Sequence, residues 1–176
     1  MTREEIAHVR AVAFLRNVNQ GQRGHLPTPR ILALFEQAGA VGVRAFQSNG
    51  TIVFAADDIA AVAERLRELL AAADRPEEVR VIPLEALWSI VAAAPAEHPA
   101  GRLELCLLDP AVALPAPPVA GRRCAGIAAG EGWMLVLNER DGESNGVPSL
   151  ERLLGTRATG RGIPTLQRLL AAHPPA

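Results

Sequence analysis

The chain contains no lysine and no tyrosine, and its 176 residues include only four Phe, two Trp and two Cys. Each shortage excludes something. Without lysine, all 18 basic side chains are Arg, and a Lys Schiff base or a Walker-type phosphate loop, which ends in Gly-Lys-Ser/Thr, is out of reach. Six aromatic residues in all give no stacking platform of the kind that reads single-stranded RNA. Cys106 and Cys124 cannot build a disulfide framework, which points to the reducing cytoplasm. No apolar run approaches the ~18–20 residues that span a bilayer, and the opening MTREEIAHVR lacks the apolar core of a signal peptide. The expectation is therefore a cytoplasmic protein with no membrane partner, and the sequence leaves its oligomeric state open.

What is present suits a folded α+β protein. Apolar residues make up 49% of the chain and charged residues 21%, the balance of an ordinary globular protein. The 32 Ala, 15 Gly and 14 Pro beside the all-Arg cation set fit a GC-rich coding bias. Finding an Arg at a given position thus says little; where it sits must carry the argument. The first fifty residues hold six Arg against three Glu, and residues 151–176 hold four Arg against one Glu. Residues 51–100 hold four Arg against nine acids, and residues 101–150 four against six. Two basic ends thus flank an acidic middle, and if they meet in space they make a positive surface.

Hydrophobic periodicity places the elements. Val9–Leu15 is apolar on both faces, as in a strand inside a sheet. A polar loop follows, then Thr28 as N-cap, Pro29 in the first turn and a helix carrying Ile31, Leu34 and Phe35, stopped at Gly39. Val43–Phe46 and Thr51–Ala55 are strands joined through Gln47, Ser48, Asn49 and Gly50, with Asn-Gly asking for positive φ at both positions. Asp57 or Asp58 caps a helix to Ala73 with Ile59, Val62, Leu66 and Leu70 on one face, and Val79–Ile82 is a fourth strand. This β-α-β-β-α-β order predicts a ferredoxin-like unit over residues 1–83. Residues 84–176 read as a second, looser α+β unit, the two forming one globule. It has a helix from Leu84 to Ala94 and strands at Leu103–Leu108, Cys124–Ala128 and Trp133–Asn138. A short helix is capped by Ser149 and ended by Gly155, and a last helix runs from about Pro164 to Ala172. The four prolines of Pro110–Pro118 exclude regular helix or central strand there.

Two blocks, AFLRNVNQG and ILALFEQAGAVGVRAFQSNGTIVF, open a series of matches continued by VRVIPLEALWSIVAAAP, LCLLDP and TRATGRGIPTLQRLL. Together they resemble the domain of unknown function 1697 family of bacterial proteins, over roughly residues 9–170. The resemblance implies an α+β fold of two intertwined ferredoxin-like units with antiparallel sheets, and it implies no reaction and no cofactor. The chain departs from the family pattern in several places. Asn17-Val18-Asn19 stands for Gly-Ile-Asn, and Asn49-Gly50 reverses a Gly-Asn turn. Gly162, Ile163 and Pro164 replace an Asn, an aromatic and a further residue of the C-terminal motif.

Three groups of residues have chemistry to offer. Arg16, Asn17, Asn19, Gln20 and Gly21 follow a strand and precede a helix, where backbone N–H groups can hold an anion; they equally suit a solvated polar turn. Gln47, Ser48 and Asn49 can bond a ligand near that loop, and they are also what a tight hairpin uses. Arg157, Thr159, Arg161, Thr165 and Arg168 flank a helix start, with Arg161 between Gly160 and Gly162 in a loop reaching outward, and they suit phosphate or an RNA backbone. The other reading of this group is an Arg-rich surface helix. His8, His25, His98 and His173 have no metal-ligand spacing, so no metal is expected. Cys106 and Cys124 read as small buried hydrophobes. The leading expectation is a non-catalytic protein that binds a phosphate-bearing ligand or nucleic acid through Arg-containing loops. The alternatives are an enzyme acting on a small anionic metabolite, with the same Arg set as an electrostatic clamp, and an interaction protein that uses Pro110–Pro118.

Overall fold

The structure, a computed structural model, describes residues 8–16, 26–73 and 78–175. The run Val9–Leu15 forms β1, and its apolar character on both faces is used, since Ala11 to Leu15 are all buried. It pairs antiparallel with β3 (Thr51–Ala56) on one side and β4 (Val79–Pro83) on the other, with Val12 opposite both Val53 and Ile82. The strand β2 (Val41–Phe46) adds an edge beyond β3, giving the order β2-β3-β1-β4. Pro83 closes β4 at the other edge, where its missing N–H costs no ladder bond.

Two helices cover one face of this sheet. Helix α1 spans Thr28–Gln37 and α2 spans Ile59–Ala72. Ile31, Leu34 and Phe35 of α1, with Val62, Leu66 and Leu70 of α2, pack on Ala11, Ala13, Leu15, Ile52 and Phe54. The rings of Phe35 and Phe54 lie 5.4 Å apart at 57°, within the tilted geometry that aromatic pairs favour. Helix α1 starts at Thr28, one residue before the sequence-based start, with extended Pro27 preceding it and no side-chain cap. Pro29 still lies in the first turn, and Gly39 follows the helix at φ +97°. Of the two candidate caps for α2, Asp58 does the work: its Oδ1 accepts from the N–H groups of Ala60 and Ala61 at 2.9 and 3.0 Å. Asp57 instead accepts from His8 Nδ1 at 2.6 Å.

The chain divides into compact units at Met1–Leu87 and Trp88–Ala176, with the division inside α3 (Leu84–Ala92). The second unit contains β5 (Leu103–Leu107), β6 (Val119–Gly121), β7 (Cys124–Gly130), β8 (Trp133–Asn138), α4 (Gly146–Leu154), β9 (Thr159–Gly162) and α5 (Ile163–Ala172). They make one five-stranded sheet, ordered β6-β7-β8-β5-β9, with every described pairing antiparallel. The protein is thus α+β, with antiparallel sheets of four and five strands and five α-helices among the described residues. Leaving out β6, the second sheet repeats the strand order of the first. The proline-rich segment before β6 stands where the first unit has α1. Cys106, Leu108, Met134 and Val136 pack against Leu150 of α4 and Ala158, and Trp88 Nε1 donates to the carbonyl of His173 at the end of α5, 3.2 Å away.

Two expectations for this unit need correction. Helix α4 begins at Gly146, so Ser149 lies inside it and does not cap it; the amides at its start find partners far away in sequence. Residues Thr159–Gly162 form a strand, β9, paired with β5 through Leu105 opposite Arg161. Two glycines made this segment read as a loop, yet Gly160 is needed in the strand, because a Cβ there would lie 2.5 Å from Glu104 Oε1. Among the described residues no helix is long and apolar enough to cross a membrane.

Asp58→Ala removes the cap of α2 and should lower stability by about 1 kcal/mol. Urea unfolding checks this as a lower midpoint with an unchanged slope.

Candidate functional site

The residues selected from sequence fall into separate places. Arg16 follows β1 directly; its N–H donates to the carbonyl of Glu78 at 2.9 Å, and the N–H of Leu15 donates to that of Gly50 at 2.8 Å. The end of β1 therefore sits between the Gln47–Gly50 turn and the start of β4, which brings Arg16 beside Gln47, Ser48 and Asn49. Asn17, Asn19, Gln20 and Gly21 lie outside the described residues. The turn differs from the expected one. Phe46 pairs with Thr51, so four residues make the connection, and positive φ falls on Gln47 and Gly50. Asn49 serves the turn itself, its Oδ1 accepting from Thr51 Oγ1 at 2.8 Å and its amide donating to Gln47 Oε1 at 3.5 Å.

Arg157 is exposed, while Thr159 is buried. Arg161 belongs to a strand and does not reach outward from a loop. Its Nη1 donates to the Gly160 carbonyl at 2.7 Å and to Thr159 Oγ1 at 3.3 Å. Burial pulls the Arg161 guanidinium down to about 10, with the Glu104 carboxylate working in the opposite direction; the group remains charged at neutral pH. Thr165 accepts from Arg168 Nη2 at 3.2 Å along α5.

A different set of arginines surrounds an open cleft of about 220 Å³, lined by Arg122, Arg123, Asn145, Pro148, Ser149 and Arg152. It is built from a hairpin and a helix. Gly121 pairs with Cys124 across the β6–β7 turn, which leaves Arg122 and Arg123 at its tip. Arg123 takes φ +59°, a left-handed conformation that costs a residue with a Cβ about 1–2 kcal/mol. Its partners hold it there: Nη2 meets Glu143 Oε1, Nε meets Glu139 Oε2 at 3.4 Å, and its carbonyl accepts from the Glu139 N–H at 3.0 Å. Asn145 steadies Glu143 from the other side through Nδ2 to Oε2 at 3.1 Å. Ser149 Oγ accepts from the Arg122 N–H at 3.3 Å and lies 3.4 Å from Cys124 Sγ, whose thiol also faces the Asn145 carbonyl at 3.6 Å.

The three arginines are not equivalent. Arg123 is matched by two carboxylates. Arg122 and Arg152 are exposed, and neither has an ion-pair partner among the described residues. An anion entering the cleft would meet these two guanidiniums and a hydroxyl, a combination suited to bidentate phosphate or carboxylate contacts. Sequence reasoning misses all three arginines: Arg122 and Arg123 lie in a segment of net negative charge beside the short strand β6, and Arg152 lies in a helix before the basic C-terminal motif. The available signal was Arg122-Arg123 set between Gly121 and a strand-like run.

Beneath the cleft, Glu104 fixes the position of α4. It is 2% exposed in the middle of β5. Its carboxylate accepts from Ser144 Oγ at 2.6 Å, the Gly146 N–H at 3.0 Å and Asn138 Nδ2 at 3.5 Å. Asn138, also buried, accepts the Asn145 N–H on Oδ1 at 2.9 Å and donates to the Arg102 carbonyl at 3.3 Å. The first amides of α4, unpaired within the helix, are thus met by a buried carboxylate and a buried amide, and the positive end of the helix field faces Glu104. Gly146 allows this approach, since a Cβ there would lie 2.7 Å from Cys106 Sγ and 2.9 Å from Glu104 Oε2. Burial raises the Cys106 thiol well above its ordinary range, with the nearby Glu104 charge and then Cys124 adding to it. No group of three or more potential metal ligands occurs among the described residues.

Comparison with known proteins relates the chain to a family and to a solved structure. Over residues 9–117 the sequence matches the family described as "Protein of unknown function (DUF1697)", a stretch that ends before the cleft arginines. The structure is similar to that of the conserved bacterial protein SP0830 from Streptococcus pneumoniae, with a TM-score of 0.67 at 15% identity. That similarity covers 93% of this chain and 97% of the other, and it concerns the fold. No curated protein matches the sequence.

Glu104→Ala strands two buried donors, the Gly146 N–H and Asn138 Nδ2, and frees Ser144, and it should cost about 3 kcal/mol, seen in urea unfolding. Glu104→Gln, which keeps the size and one acceptor oxygen, should cost about half as much. In the native protein at pH 8, iodoacetamide should leave Cys106 unlabelled, and mass spectrometry should find it labelled only after unfolding.

Proposed function

The chain belongs to the DUF1697 family of proteins of unknown function, and we propose that it is a non-catalytic binding protein for a small phosphate-bearing ligand, held in the cleft between the β6–β7 turn and α4. The observation that carries this reading is the pair of exposed guanidiniums, Arg122 and Arg152, on the walls of one cleft with the Ser149 hydroxyl. The site proposed here belongs to the second unit, and Arg16 belongs to the first. We also read both units as ferredoxin-like. The element order β-α-β-β-α-β with strands ordered β2-β3-β1-β4 supports this for the first, and the order β7-β8-β5-β9 supports it for the second.

Charge and composition favour a small ligand over nucleic acid. Glu139 and Glu143 flank Arg123, so a polyanion laid across the turn would meet two carboxylates beside the arginines. Among the described residues no aromatic side chain lines the cleft, and single-stranded nucleic acid is commonly gripped by stacking as well as by charge. Binding also fits the lining better than turnover does, because guanidinium, amide and hydroxyl groups recognise anions without exchanging protons near pH 7.

Isothermal titration calorimetry at low salt tests the reading, with inorganic phosphate and glycerol 3-phosphate as probes. Binding to the unaltered protein should weaken about tenfold in Arg122→Ala and in Arg152→Ala, the loss of one charge-assisted contact each. Absence of binding to either probe, or equal binding by both variants, would overturn it. Tighter binding of a single-stranded RNA than of the phosphates would move the assignment to nucleic acid.

A further inference from the structure

Resting on the phosphate-binding reading of the same cleft, we propose that its ligand carries a short aliphatic group next to the anionic group, seated against an apolar groove that continues from the cleft. The groove is formed by Val119, Ala120 and Gly121 of β6, by Cys124, and by Leu150 and Leu153 of α4. Ser149 lines groove and cleft alike. On each wall the two surfaces are one residue apart: Gly121 precedes Arg122, and Arg152 precedes Leu153. The groove and the cleft therefore share a border at Ser149.

Leu153 supplies the reason for an aliphatic group. It is 55% exposed, the most exposed of the large hydrophobic side chains among the described residues. Its neighbours Leu150 and Leu154 pack into the core, so Leu153 stands out of the helix at the groove's edge. Covering it with a ligand methylene removes apolar surface from water on both partners. Size limits the occupant. The groove is nearly closed, with a cavity volume of only about 10 Å³, near the minimum that holds a single water, so it admits no chain and the aliphatic group rests on Leu153 at its rim. Gly121 and Gly126 let the walls close this far: a Cβ on Gly121 would lie 2.7 Å from Cys124 Sγ, and one on Gly126 would clash with Met134 Sδ. The ligand class is therefore a soluble short-chain phosphomonoester, and a membrane phospholipid does not fit.

The test compares inorganic phosphate, methyl phosphate and n-butyl phosphate by calorimetry on the full chain. A fully buried methylene strengthens binding about fourfold; with the chain partly exposed, n-butyl phosphate should bind about tenfold more tightly than phosphate. Leu153→Ser, a change at an exposed position, should abolish that gain and leave phosphate affinity unchanged. Equal affinity for the three probes, with phosphate still bound, would overturn the aliphatic assignment and leave the phosphate reading standing. Failure of all three to bind would end both. Co-sedimentation with phosphatidic acid–phosphatidylcholine vesicles that is lost in Leu153→Ser would replace the soluble ligand with a lipid surface and so overturn the proposal.

Discussion

The second unit depends on one buried carboxylate. Glu104 stands in the middle of a strand among apolar neighbours, where an isolated charge would be very costly. It is tolerated because Ser144, Gly146 and Asn138 supply three donors, two of them from the start of α4 and the loop before it and the third from the end of β8. The carboxylate gives the helix N-terminus its partners, and the helix gives the carboxylate its hydrogen bonds. The relation is reciprocal, so neither group can be placed without the other. Once α4 is fixed, Asn145, Ser149, Arg152 and Leu153 have defined positions, and they form one wall of both the cleft and the apolar groove.

The opposite wall depends on space as much as on charge. The β6–β7 hairpin can lie against α4 because Gly121 carries no side chain to meet Cys124 and Ser149. Arg123 completes the turn in a left-handed conformation, its guanidinium held by Glu139 and Glu143. One arginine is thus committed to structure, and Arg122 and Arg152 keep their charge for the cleft. An overall formal charge of −1 conceals this division, because the carboxylates that balance Arg123 do not balance its neighbours.

The strand orders of the two sheets agree once β6 is set aside, although no internal sequence repeat is visible. Strand pairing asks only for apolar residues at the right period, and many sequences satisfy it. The second unit has a proline-rich segment where the first has α1. Proline lacks the backbone N–H that a helix interior requires, so the connection crosses as irregular chain and adds the short edge strand β6.

The sequence by itself determined the features that rest on neighbouring residues. Both faces of Val9–Leu15 are apolar, so it is a central strand. An Asp57-Asp58 pair precedes an amphipathic run, so one of the two caps α2, and Gly155 stops α4 with φ +66°. The four strands and two helices of the first unit follow from such local signals. The family resemblance was legible in the same way, since it rests on contiguous motifs. Tertiary structure alone decided the rest. Gly160 and Gly162 look like a loop until Glu104 requires a strand with no Cβ beside it. Ser149 looks like a helix cap until a residue from another strand satisfies the true helix start. Arg161 looks like a loop residue until its segment pairs with β5. Among the described residues Arg123 takes both carboxylates and Arg122 and Arg152 take none, because pairing is settled by where Glu139 and Glu143 arrive, and no periodicity along the chain encodes that distance.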